Sequence, residues 1–165
     1  MNTLDKLNKL NKSDFVSIFG NVFEKTTWIA EKVFNLRPFK SYDEFSNKFI
    51  SVFENEKKEN LLKILISHPD LAVEKKMTTD SIKEQIGAQL NECTKDEHEE
   101  FMKLNKEYKK KFKFPFIIAV VGKNKKEILN TFKKRIKNEF NEEFLEAIVQ
   151  VKKIALLRLK DINKE

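Results

Sequence analysis

The strongest constraint on this chain is a repeated start signal for helices. A hydroxyl residue three positions ahead of a glutamate satisfies orphan N–H groups reciprocally, and apolar residues three and four apart then define a buried face. Ser41 and Glu44 stand in that relation, followed by Phe45, Phe49, Val52 and Phe53 at spacings of four, three and one. Thr94 and Glu97 repeat it ahead of Phe101, Leu104, Asn105, Tyr108 and Phe112. Three Gly and three Pro in 165 residues leave little turn chemistry for an all-β fold. The expectation is one all-α domain, residues 1–165, of seven or eight helices, large enough to bury roughly two thirds of its unfolded surface.

The remaining helices follow from the same periodicity. Ser13-Asp14 is a cap candidate for Phe15, Ile18 and Phe19, with Gly20 as the stop. Asn21 is expected to start a second helix through Trp28 to Phe34, with Glu24 as its reciprocal cap, before Arg37-Pro38 breaks it. Lys57 to Ser67 and a segment from Thr78–Ser81 to about Asn91 are further helices. Gly122 and Asn124 lead into Ile128, Leu129, Phe132 and Ile136; Asn141 opens the longest, with Phe144, Ile148, Val151, Ala155 and Ile162 inward. Phe114 to Val121 fits a buried strand by propensity, but with no partner strand an extended segment or short helix fits equally.

Charge and motifs narrow the function classes. The net charge of +7 comes from 33 basic residues interleaved with 26 acidic ones, a solvated surface and no nucleic-acid stripe. Lys109–Lys111 and Lys123–Lys126 are the exceptions to watch. A single cysteine, Cys93, excludes a disulfide framework and a cysteine-based metal site, and a reducing cytoplasm is the default. The polar start lacks a signal-peptide core, the end carries no peroxisomal address, and no apolar run spans a membrane. Dinucleotide and Walker loops, the zinc-protease His-Glu-x-x-His and the Gly-x-Ser-x-Gly elbow are all missing.

Polar residues at apolar positions are the informative anomalies. Arg158 continues the Phe144, Ile148, Val151, Ala155 series and is either paired with a buried carboxylate, snorkelling, or an anion clamp. His68 precedes Pro69 at a helix end, where an imidazole either caps carbonyls or donates a proton near neutral pH. Ser81 and Glu84 either cap the fifth helix or face a site with Gln85, and Asn105 needs partners if its amide is buried. His98, among charged residues, is expected in solvent.

In order and spacing, His68-Pro69-Asp70-Leu71-Ala72, Ser81-x-x-Glu84-Gln85 and Phe114-Pro115-Phe116-Ile117-Ile118-Ala119 closely resemble the 2-oxo-4-hydroxy-4-carboxy-5-ureidoimidazoline (OHCU) decarboxylases of purine catabolism. The likeness extends to Phe19-Gly20 with Glu24 and Trp28, Arg37-Pro38-Phe39, Leu104-Asn105 with Tyr108, and Arg158-Leu159. It departs at Gln89 and Lys113, where that family commonly has glycine. The resemblance implies an all-α, cofactor-free, metal-free homodimer that forms (S)-allantoin. It implies His68 as proton donor with Glu84 as its catalytic partner. It further implies a substrate site of Pro69, Ser81, Glu84, Gln85, Phe116, Ile117, Ile118, Ala119, Val120 and Arg158. The other readings are a non-catalytic Lys-rich interaction module and a decarboxylase of a related ureido compound.

Overall fold

A computed structural model describes residues 4–73 and 77–164. Within them the chain is all-α, with nine helices and no strand. They are α1 (Leu4–Lys9), α2 (Lys12–Phe19), α3 (Thr27–Phe34), α4 (Tyr42–Glu54), α5 (Lys58–Ile66), α6 (Thr79–Gly87), α7 (Lys95–Phe112), α8 (Lys125–Arg135) and α9 (Phe140–Lys164). The six-residue α1, with Leu7 fully buried, is the helix that periodicity did not reveal. Residues 74–76 of the segment between His68 and Ser81 lie outside the described part. Contacts divide the chain into two compact units: the described residues up to Ile64 with those from Lys152, and Leu65–Val151.

The first unit is built on phenylalanine. Phe15 and Phe19 of α2 meet Phe45 and Phe49 of α4, with Phe19–Phe45 at 4.9 Å in an edge-to-face arrangement. Phe23 stacks on Phe53 at 4.7 Å. Such pairs contribute about 0.5–1.5 kcal/mol each beyond the burial of their area. The residue that ends α2 has to be glycine, because a Cβ on Gly20 would sit 2.4 Å from the Val16 carbonyl oxygen.

The expected helix from Asn21 begins only at Thr27. Between them the backbone turns through Lys25, at φ 51°, held by the Asn21 side chain accepting from the Lys25 N–H. Glu24 is therefore no cap. It is fully buried and pairs with Arg158 at 2.9 Å. The cap of α2 is likewise Asn11, not Ser13 or Asp14.

In the second unit α7 presents Phe101, Leu104, Tyr108 and Phe112 inward, opened by the expected Thr94/Glu97 capping box. A second complete box, Asn124 with Glu127, opens α8. Phe116 stacks on Phe132 at 3.8 Å, and Tyr108 meets both edge-on. The buried position at the end of α8 is Arg135, 6 % exposed, whereas the expected Ile136 is only half-buried. The basic runs are partly spent inside this unit: Lys109 pairs with Asp70, Lys111 donates to the Ile136 carbonyl, and Lys125 donates to Glu97 and to the Glu92 carbonyl.

Candidate active site

His68 follows the last turn of α5, its backbone N–H reaching the Leu65 carbonyl at 3.2 Å, and its side chain is 8 % exposed. Pro69 stops the helix because it cannot donate a backbone hydrogen bond. The chain then turns through Asp70 and Leu71 to Ala72, at φ 56°, a left-handed conformation that L-residues rarely adopt.

Side chains from α6 and α7 hold that turn. Gln85 Nε2 donates to the Asp70 carbonyl and Gln85 Oε1 accepts from the Ala72 N–H, both at 3.1 Å. Asn105 Nδ2 donates to the Leu71 carbonyl at 3.0 Å. Lys109 Nζ lies 2.7 Å from the Asp70 carboxylate. Residues thirteen or more positions apart in the chain are thereby joined at the turn that follows the histidine.

The cap of α6 is Thr78, whose hydroxyl accepts from the Ser81 N–H. Ser81 and Glu84 are consequently interior residues of α6, which removes the capping-box reading for that pair. Ser81 is buried at 4 % exposure and Glu84 half-buried. Gln85 is buried, not exposed, and uses both ends of its amide on the turn.

The run Phe116 to Val120 is fully buried yet forms neither helix nor strand. Buried backbone without a ladder needs other partners. Arg135 supplies one, donating to the Ile117 carbonyl at 2.6 Å, and Gln150 Oε1 accepts from the Ala119 N–H at 3.0 Å. Arg135 is itself fixed by Glu143, which also accepts from Tyr108 at 2.6 Å and from Asn138. Burial, then the neighbouring Glu143, push the Tyr108 hydroxyl well above its ordinary range, so it stays a donor. Among the described residues no hydrogen bond reaches the backbone of Ile118.

His68, Pro69, Ser81, Glu84, Gln85 and the Phe116–Val120 run all belong to the second unit. Arg158 belongs to the first, 5 % exposed, with Glu24 at 2.9 Å and the Asn21 carbonyl at 2.8 Å. A cavity of about 490 Å³ in the second unit shares only Gln85 with these residues. Its other walls include Ala72, Met77, Ile82, Ile86, Cys93 and His98, so the imidazole that lines it is that of His98 and not His68. No group of three or more His, Cys, Asp or Glu among the described residues is arranged to hold a metal ion.

Arg135, Glu143 and Gln150 were not legible as parts of this construction. Arg135 lies seven and three positions beyond Ile128 and Phe132 in the apolar series, a usable signal, but Ile136 fits that series as well.

The model of the OHCU decarboxylase family matches residues 8–160. A 2-oxo-4-hydroxy-4-carboxy-5-ureidoimidazoline decarboxylase from Haloferax volcanii is 35 % identical over 159 residues, covering 96 % of this chain and 95 % of that protein. A uric acid degradation bifunctional protein of Bacillus sp. (strain TB-90) is 41 % identical across all of this chain. The chain spans only a third of that protein, 33 % of its length. The crystal structure of an (S)-allantoin synthase superposes with a TM-score of 0.78 at 25 % identity, covering 97 % of this chain and 54 % of that one.

Proposed function

We propose, because the chain belongs to the OHCU decarboxylase family, that it decarboxylates OHCU to (S)-allantoin in urate degradation, with His68 delivering the stereochemistry-determining proton. The observation that carries this reading is the joining of the His68 turn to α6 through Gln85, which ties the candidate donor to the Ser81–Gln85 turn.

The chemistry asks little beyond such a site. The substrate carries its carboxylate on a carbon next to a C=N bond. As CO2 leaves, the electrons of the breaking C–C bond form a new C=C bond, and the former C=N nitrogen takes a proton. The resulting enol then loses its hydroxyl proton while the neighbouring carbon gains one. An imidazole fixed on one face gives that carbon its proton from one side only. Glu84 orients the imidazole or the substrate hydroxyl, and Ser81 and Pro69 bound the ring.

Gln85 keeps one lone pair on Oε1 for the ureido N–H groups. The Phe116–Val120 backbone suits a flat, amide-rich ring, and the unengaged N–H and C=O of Ile118 are the donor and acceptor it offers. Arg158 enters as a substrate-binding residue through the family resemblance alone.

Residues 1–165 act as one domain in this proposal, supported by a family match that runs through both units. The active form is a cytoplasmic homodimer, which sedimentation of the pure protein tests; among the described residues no helix is long and apolar enough to cross a membrane. Supplying freshly generated OHCU and following optical activity is the test of function. Rapid formation of (S)-allantoin is expected, and decay at the spontaneous rate sinks the proposal.

A further inference from the structure

Three consecutive residues after the His68-Pro69 pair are each held from outside by a side chain, and one of the holders bears an unmet cost. Asn105 is 4 % exposed on the inward face of α7. Its Nδ2 is engaged with the Leu71 carbonyl, while its Oδ1 has no hydrogen-bond partner among the described residues. A buried acceptor without a partner is destabilising, and a leucine would fill a similar volume without that penalty. Packing therefore does not account for an amide here. What the amide supplies is a donor aimed at the turn.

We propose that Asn105 is a positioning residue, which together with Gln85 and Lys109 clamps the 70–72 turn and thereby sets where the His68 imidazole stands. This deepens the decarboxylase reading and rests on it. Each attachment fixes a different group. Gln85 brackets the Asp70 carbonyl and the Ala72 N–H, Asn105 takes the Leu71 carbonyl between them, and Lys109 takes the Asp70 carboxylate. Together they hold a turn that ends in a left-handed alanine, a conformation that relaxes unless its surroundings enforce it. Proton delivery to one face tolerates displacements of well under an ångström, so a turn held at three consecutive residues suits the step. Neither Asn105 nor Lys109 needs to touch the substrate in this arrangement.

Asn105→Leu removes the donor and keeps the size. The expected result is a fall in kcat of about tenfold or more, with KM within about threefold of wild type and a lower excess of (S)-allantoin. Thermal melting is measured alongside, since a purely structural role lowers the melting temperature and leaves kcat and stereochemistry intact well below it. That second pattern overturns the proposal. Should Asn105→Leu fail to fold, Lys109→Met decides by the same two patterns, because Lys109 is the half-exposed member of the clamp.

Failure of the decarboxylase reading is separable. If wild type does not turn over OHCU, the clamp is judged by the imidazole spectrum alone. The chain has two histidines, and in a His98→Gln background only His68 remains. Displaced or exchange-broadened imidazole nitrogen signals in Asn105→Leu support the clamp. Unchanged signals overturn it.

Discussion

Gln89 and Lys113, the two positions at which the resemblance leads one to expect glycine, occupy the same kind of place. Lys113 caps α7 at φ 66° and Gln89 follows the end of α6 at φ 60°. Both lie in the left-handed region, which costs an L-residue roughly 1–2 kcal/mol and costs glycine little. Lys113→Gly and Gln89→Gly are each expected to raise stability by about 0.5–1 kcal/mol in urea unfolding, part of the relief being returned as glycine entropy. A loss of stability at both sites would show that these side chains do more than close a helix. Periodicity placed the end of α7 at Phe112 but ran α6 on to about Asn91, past its end at Gly87. It does not give the sign of φ, which depends on the turn beyond.

Arg158 carries a second residue-scale lesson. The spacing that made it anomalous was informative, and one of its open readings, a buried arginine with a carboxylate, is what Glu24 provides. Glu24 itself was misread as a cap, because its pairing spans most of the chain. Removing one member of so buried a pair strands the other charge, so Arg158→Met is expected to cost about 3–5 kcal/mol. The double variant Arg158→Met/Glu24→Gln should recover much of that in thermal melts. Binding of (S)-allantoin by the double variant then reports on the substrate role without the stability loss; unaltered affinity in calorimetry removes Arg158 from the site.

At the scale of elements, the capping spacing was legible but not decisive. Thr94 and Glu97 close a complete box, and Ser41 caps α4 through the Glu44 N–H, with Glu44 itself reaching the Lys40 N–H. Asn21/Glu24 and Ser81/Glu84 share the spacing and open no helix. Elements whose shape is set by distant side chains were legible only as open alternatives, the Phe114 to Val121 stretch among strand, extended segment and short helix. The Phe114 to Val121 stretch is apolar enough for a strand or a helix, and it is neither because Arg135 and Gln150 satisfy its backbone in place of a ladder. The Arg135 part of that support hangs on Glu143, in turn held by Tyr108, while Gln150 is held by Glu146. Tyr108→Phe leaves the buried carboxylate short of one donor and is expected to cost about 1–3 kcal/mol in denaturant unfolding. Faster amide exchange at Ala119 should accompany it, and unchanged exchange there would detach the tyrosine from this segment's order.

For the molecule as a whole, the all-α class was readable because local periodicity and the scarcity of Gly and Pro agree. The candidate site was readable only as separate fragments. Nothing local connects the turn after His68 to Gln85 or Asn105; hydrogen bonds to the backbone of residues 70–72 do so. The family likeness suggests the reaction proposed for those fragments, and the turn at residues 70–72 is the proposed reason for the histidine to be held still. Spontaneous decay of OHCU gives racemic allantoin, so product handedness reads the proposed role of His68 directly. Wild type and His68→Asn, both folded, should be compared on fresh OHCU by circular dichroism. Wild type should give (S)-allantoin and His68→Asn the racemate at the spontaneous rate; (S)-allantoin at the wild-type rate from His68→Asn would contradict His68 as the proton donor.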